Sequence, residues 1–65
     1  MKLKDIREEY GMTRAELERR IGVAGIRLVR YETGETPQNS MDLIIAYRIS
    51  QVLKCKIENL LELED

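Results

Sequence analysis

The stretch Thr13-Arg14-Ala15-Glu16-Leu17-Glu18-Arg19-Arg20-Ile21-Gly22-Val23-Ala24-Gly25-Ile26-Arg27-Leu28-Val29-Arg30-Tyr31-Glu32-Thr33-Gly34 decides the fold. Thr13 stands where a helix would start, and Glu16 three residues on completes a capping-box pattern. Leu17 and Ile21, four apart, share one side of that helix. Gly22 breaks it after about nine residues, because glycine accepts backbone conformations that side-chained residues resist. A second helix begins near Ala24 or Gly25, carries Leu28 and Tyr31 at a spacing of three, and stops at Gly34. Two short helices crossing at about 90–120° need apolar facing sides and a sharp turn. Leu17, Ile21, Val23, Leu28 and Tyr31 supply those sides. Any helical hairpin would ask the same, but not for a basic outer surface. Between Arg14 and Arg30, five arginines stand against two glutamates, a local +3.

Helical spacing continues on both sides. Leu3, Ile6 and Tyr10 recur with charged residues between them, and Gly11 closes that segment. Thr33 to Ser40, with Gly34, Pro37 and Asn39, reads as the one real loop. A fourth helix is expected from about Met41 to Leu53, with Ile45, Ile49 and Val52 or Leu53 on one stripe. Lys54-Cys55-Lys56 makes a short connection. Ile57, Leu60 and Leu61 form the inner face of a short last helix, and Leu63 either closes the core or meets a partner. The expected architecture is all-α, a compact bundle of five short helices with no strand. Leu3, Ile6, Leu17, Ile21, Leu28, Tyr31, Ile49, Leu53 and Leu60 should be buried.

Sixty-five residues make one domain, 1–65, with 43% hydrophobic and 35% charged residues. Without tryptophan or phenylalanine, the core must be aliphatic with a few tyrosines. No apolar run approaches the roughly 20 residues that span a bilayer, and the N-terminus lacks a signal peptide's apolar stretch. A cytoplasmic location is expected. Cys55 is the lone cysteine, so no internal disulfide or cysteine zinc site is possible. With no histidine, no glycine-rich phosphate loop and no base for Cys55, neither catalysis, a metal, a cofactor nor a small-molecule substrate is expected. Glu8 and Glu9 are adjacent on a helix and do not face each other, so they are no catalytic pair. The net charge of −1 is not the strongly basic balance of a nucleic-acid binder. Its distribution is uneven, however, with three basic and five acidic residues from Pro37 to the end.

Ile6-Arg7, Gly11-Met12-Thr13, Gly22-Val23, Tyr31-Glu32-Thr33-Gly34, Pro37 and Ile57-Glu58-Asn59-Leu60-Leu61 together resemble the Cro and phage-repressor class of helix-turn-helix proteins, the XRE family. The resemblance runs over nearly the whole chain and implies a lambda-repressor-like DNA-binding domain. It implies a transcriptional regulator, a repressor, that puts a recognition helix of about 24–32 into the major groove of double-stranded DNA. A homodimer on a palindromic operator follows from that geometry, with half-sites about 34–36 Å apart. Gly25, Ile26, Arg27, Val29 and Arg30 would then face outward. An arginine there can donate two parallel bonds to guanine or clamp a phosphate, and Ile26 can touch a thymine methyl. Ile26 and Val29 could equally cover core or a partner surface. Arg14 matches a phosphate-side position at a helix start, and Thr33 one that often touches phosphate. Arg19 and Arg20 read as a solvated face. Arg7 and Glu32 match a pair that commonly forms an internal salt bridge.

Three residues depart from the family's pattern. Glu18 stands where relatives usually have alanine, close to the passing recognition helix. Ala24 replaces the usual serine cap, removing a bond worth about 1 kcal/mol. Glu35 stands where relatives often carry a phosphate-holding lysine or arginine, and a carboxylate there repels DNA. These departures, the acidic balance and the apolar Ile26 and Val29 support an alternative. In that reading the fold serves as a protein-interaction module, antirepressor- or antitoxin-like.

Overall fold

A computed structural model of the protein describes residues 1–63. Five α-helices follow one another: α1 (Leu3–Tyr10), α2 (Arg14–Ile21), α3 (Gly25–Thr33), α4 (Leu43–Leu53) and α5 (Ile57–Leu60). There is no strand among the described residues. Thr13 caps α2, its hydroxyl accepting from the Glu16 amide at 3.2 Å. The return bond from the Glu16 side chain does not form, so only half of the expected box is present. Gly11, Gly22 and Gly34 end α1, α2 and α3 in left-handed backbone, as their positions required.

Helix α3 runs Gly25–Thr33, with extended Ala24 (φ −60°, ψ 138°) as its N-cap, within a residue of the expected span. One boundary differs from the sequence reading. The fourth helix starts at Leu43, not Met41. Asp42 caps it, with Oδ1 accepting from the amides of Ile44 at 2.8 Å and Ile45 at 3.4 Å. That leaves Met41 extended and free to turn inward, where it is buried.

All nine residues expected in the core are buried, and Leu3, Leu17, Leu28, Ile49 and Leu60 have no exposed surface. Met12, Met41, Ile45 and Ala46 join them. Helix α2 packs on α3 and α4, α1 on α3 and α4, and α5 on α4. The hairpin therefore rests on a platform supplied by the outer helices. Tyr10 shares the spacing of Leu3 and Ile6 but lies at the end of α1, and it is 42% exposed. Ile57, Leu61 and Cys55 are half-buried, and Leu63 is exposed, so Leu63 does not close the core.

The expected loop also hides a structural element. Gln38–Ser40 form a turn of 3-10 helix, and Gln38 is buried. Its Oε1 accepts from the Leu3 amide at 2.9 Å. Its Nε2 donates to the carbonyls of Met1 at 2.7 Å and Leu60 at 2.8 Å. One amide side chain thus ties the start of α1 to the end of α5. A polar residue in a loop gave no sign of this, because the bonds join segments 22 to 37 positions away.

Candidate nucleic-acid interface

Helix α3 exposes one face and buries the other, because residues three and four apart share a side. Leu28 and Tyr31 turn inward, while Arg27 and Arg30, also three apart, stand exposed. Ile26 is 55% exposed, so it covers no core of its own chain. Val29 is half-buried, as is Gly25. Thr33 ends the helix in solvent, its hydroxyl donating to the Arg30 carbonyl at 3.3 Å and lying 3.5 Å from the Glu35 amide.

Three carboxylates touch this face or its supports. Glu35 lies 3.7 Å from Nε of Arg30, both side chains being about half or more exposed. Such a surface pair is worth about 0–1 kcal/mol, so it biases Arg30 without fixing it. Glu32 has 4% of its side chain exposed and receives Arg7, as expected, at 2.7 Å. Glu32 also lies 3.8 Å from Arg14, the first residue of α2, whose side chain remains 45% exposed. Arg14 thus points along the junction of α2 and α3 instead of standing alone at the helix start. Glu18 is half-buried between α2 and α3. A Cβ built on Gly25 would collide with its carboxylate, 2.6 Å from Cδ.

The hairpin is held from behind. The Arg48 guanidinium of α4 donates to the Ile21 carbonyl at the end of α2, at 3.2 Å. Arg19 and Arg20 are exposed in the last turn of α2, where a cation suits the helix dipole. Cys55 sits away from α3, and burial pushes its thiol up from the ordinary cysteine range. It stays protonated at neutral pH, which suits a packing residue. Among the described residues, no helix is long and apolar enough to cross a membrane.

Two Archaeoglobus fulgidus proteins named as uncharacterized HTH-type transcriptional regulators resemble the chain. One is 33% identical over 64 residues, covering 98% of this chain and 87% of the relative. The other is 34% identical over 59 residues, covering 91% and 79%. No solved structure matches the chain significantly. Residues 3–60 match the helix-turn-helix family, and the chain belongs to that family, in its XRE branch.

Proposed function

We propose that this chain is a sequence-specific transcriptional regulator of double-stranded DNA, a repressor, with α3 lying in the major groove. Residues 1–65 act as one DNA-binding domain, in the cytoplasm, with no catalytic step and no cofactor. The observation that carries the reading is the outward face of α3. There Arg27 and Arg30 stand exposed, while Leu28 and Tyr31 are buried. Gly25, Ile26, Arg27, Val29 and Arg30 form the groove-facing surface. Arg14 and Thr33 flank it, within reach of the phosphates.

Size supports the pairing of two copies. The molecule is 31 Å in its longest dimension, while successive major grooves on one face of DNA lie about 34–36 Å apart. One copy carries one α3 and reads one half-site. A homodimer on a palindromic operator brings two together. The last two helices offer apolar surface for it, with Leu43, Ile44 and Tyr47 of α4 and Leu63 beyond α5 each more than half exposed.

The same surface favours the second reading, a protein-interaction module. Exposed Ile26 on α3, Leu43 and Ile44 on α4, and Glu35 beside Arg30 suit a protein partner better than a phosphate backbone. Selection from a random duplex pool at low salt separates the two. Enrichment of one motif with twofold symmetry is the expected result. A pool left without any enriched motif would overturn the DNA reading and favour the interaction module.

A further inference from the structure

Glu18 and Gly25 make a matched pair. Gly25 is the first residue of α3, and its backbone is not left-handed, so its conformation does not call for glycine. A glycine in a helix is unfavourable relative to alanine. Space explains it instead, because the volume of a side chain at 25 is filled by the carboxylate of Glu18, reaching across from α2. A Cβ at Gly25 would stand 2.6 Å from Cδ and 2.8 Å from Oε2 of that carboxylate. Helix α2 thus supplies, at the first position of α3, a side-chain end that α3 itself lacks.

That half-buried carboxylate is an acceptor free to meet a donor. The Glu18 carboxylate makes no hydrogen bond or ion pair among the described residues. It lies at the positive end of the α3 dipole, which offsets part of its charge. If α3 docks as proposed above, its first turn faces base edges. A carboxylate can only accept there. Guanine offers two acceptors to the major groove and thymine a carbonyl, so both repel it. Adenine offers an amino group with the N7 acceptor beside it. Cytosine alone presents its N4 amino group without a neighbouring acceptor. We infer that Glu18, presented over Gly25, is a specificity-determining residue that accepts a hydrogen bond from the N4 amino group of a cytosine in each half-site.

The inference rests on the DNA-binding reading, and one experiment keeps the two apart. The wild-type chain, Glu18→Gln and Glu18→Ala are each put through selection from a random duplex pool, with helicity recorded for all three. The wild type should enrich cytosine at one position of each half-site. Glu18→Gln, which can both donate and accept, should move that position toward adenine and leave the rest of the motif unchanged. Glu18→Ala should lose about 5- to 150-fold in affinity for the cytosine site, the range of one good base contact. Gly25→Ala, which displaces the carboxylate, should lose the same cytosine preference without any change at residue 18. If the variants select the wild-type motif with wild-type affinity, Glu18 is packing only and the inference falls alone. If the wild type enriches no motif, the DNA reading falls and takes this inference with it.

Discussion

Arg7 of α1 grips Glu32 of α3 at two points, Nε to Oε2 at 2.7 Å and Nη2 to Oε1 at 3.0 Å. The third arm of the fork, Nη1, donates to the Met12 carbonyl at 2.8 Å. Arg7 is buried, and the hydrogen bond it donates to Glu32 raises its pKa above the ordinary arginine value, so it stays charged at any working pH. The pair anchors the C-terminal half of α3 to α1, and Arg14 shares the same carboxylate. Removing one partner of a buried pair costs about 3–5 kcal/mol, because the other charge is stranded. For a domain of this size that is a fall in thermal midpoint of at least about 12 °C. Glu32→Gln should show it by thermal unfolding followed by circular dichroism. Replacing Arg7 and Glu32 together by methionine should lose much less. A Glu32→Gln midpoint within about 2 °C of wild type would mean that the pair contributes nothing.

Gln38 is the second anchor, and its loss should read out at both chain ends. Gln38→Ala leaves the Leu3 amide and the Leu60 carbonyl without the partner they have now. Each buried group left unpaired costs about 1–3 kcal/mol. Amide hydrogen exchange should speed at Leu3 and in α5 before it does in α2. Unchanged protection at Leu3 would show that water replaces the side chain without penalty.

Ala24 has the backbone of a helix cap but no side chain to cap with. A serine oxygen there would accept from one of the free amides of the first turn, and Ala24→Ser should stabilise the domain by about 0.5–2 kcal/mol. Chemical denaturation checks this through a higher midpoint at unchanged slope. An unchanged or lowered midpoint would mean that another group already caps the first turn of α3.

The legible parts of the structure were those set by local periodicity and by single residues with one physical use. Leu17 and Ile21, Leu28 and Tyr31, and the glycines at 11, 22 and 34 gave the hairpin directly. Helix α4 starts at Leu43 because Asp42, a strong cap, fixes its boundary, whereas apolar spacing alone points to Met41. Gln38 was invisible for a different reason. Its bonds depend on where the chain ends meet, and no spacing encodes that. At the candidate interface, the exposure of Ile26, Arg27 and Arg30 followed from helical phase. Glu18 and Glu35 stand out in the sequence as departures from the family's pattern, but what each meets depends on the three-dimensional arrangement. Glu35 finds Arg30, and Glu18 fills the space above Gly25.

Because the Arg30–Glu35 pair is exposed, Glu35 can be changed with little effect on folding. Glu35→Gln should free Arg30 and remove a charge that repels phosphate, and Glu35→Lys should add an attractive one. Affinity for duplex DNA should rise in that order. For Glu35→Lys the dependence of log affinity on log salt should steepen by about one unit, the value for one added phosphate contact. Thermal midpoints within about 3 °C of wild type would assign the change to binding alone. Affinity that failed to rise with Glu35→Lys would mean that this end of α3 faces away from DNA.

Arg27 tests the groove-reading role directly, since unlike Arg30 it makes no ion pair among the described residues. Leu28 and Tyr31 turn inward beside it, so truncating Arg27 should leave the fold intact. If its guanidinium reads a guanine, Arg27→Ala should cost about 1–3 kcal/mol on the preferred site and much less on unrelated DNA. A phosphate clamp would behave differently, losing equal affinity on both DNAs with a salt slope shallower by about one unit. Base reading is the expected outcome, because Arg27 lies in the first turn of α3, the part that meets base edges in this family's docking. Arg19→Ala is the control, exposed at the end of α2 and off that face, and it should change neither quantity much. Titrations at two salt concentrations on the selected site and on a scrambled duplex separate the three behaviours. The groove-reading assignment fails if the Arg27/Arg30 double alanine variant stays folded and keeps its full DNA affinity. The exposed face of α3, with Ile26 at its centre, would then be better explained as a surface for a protein partner.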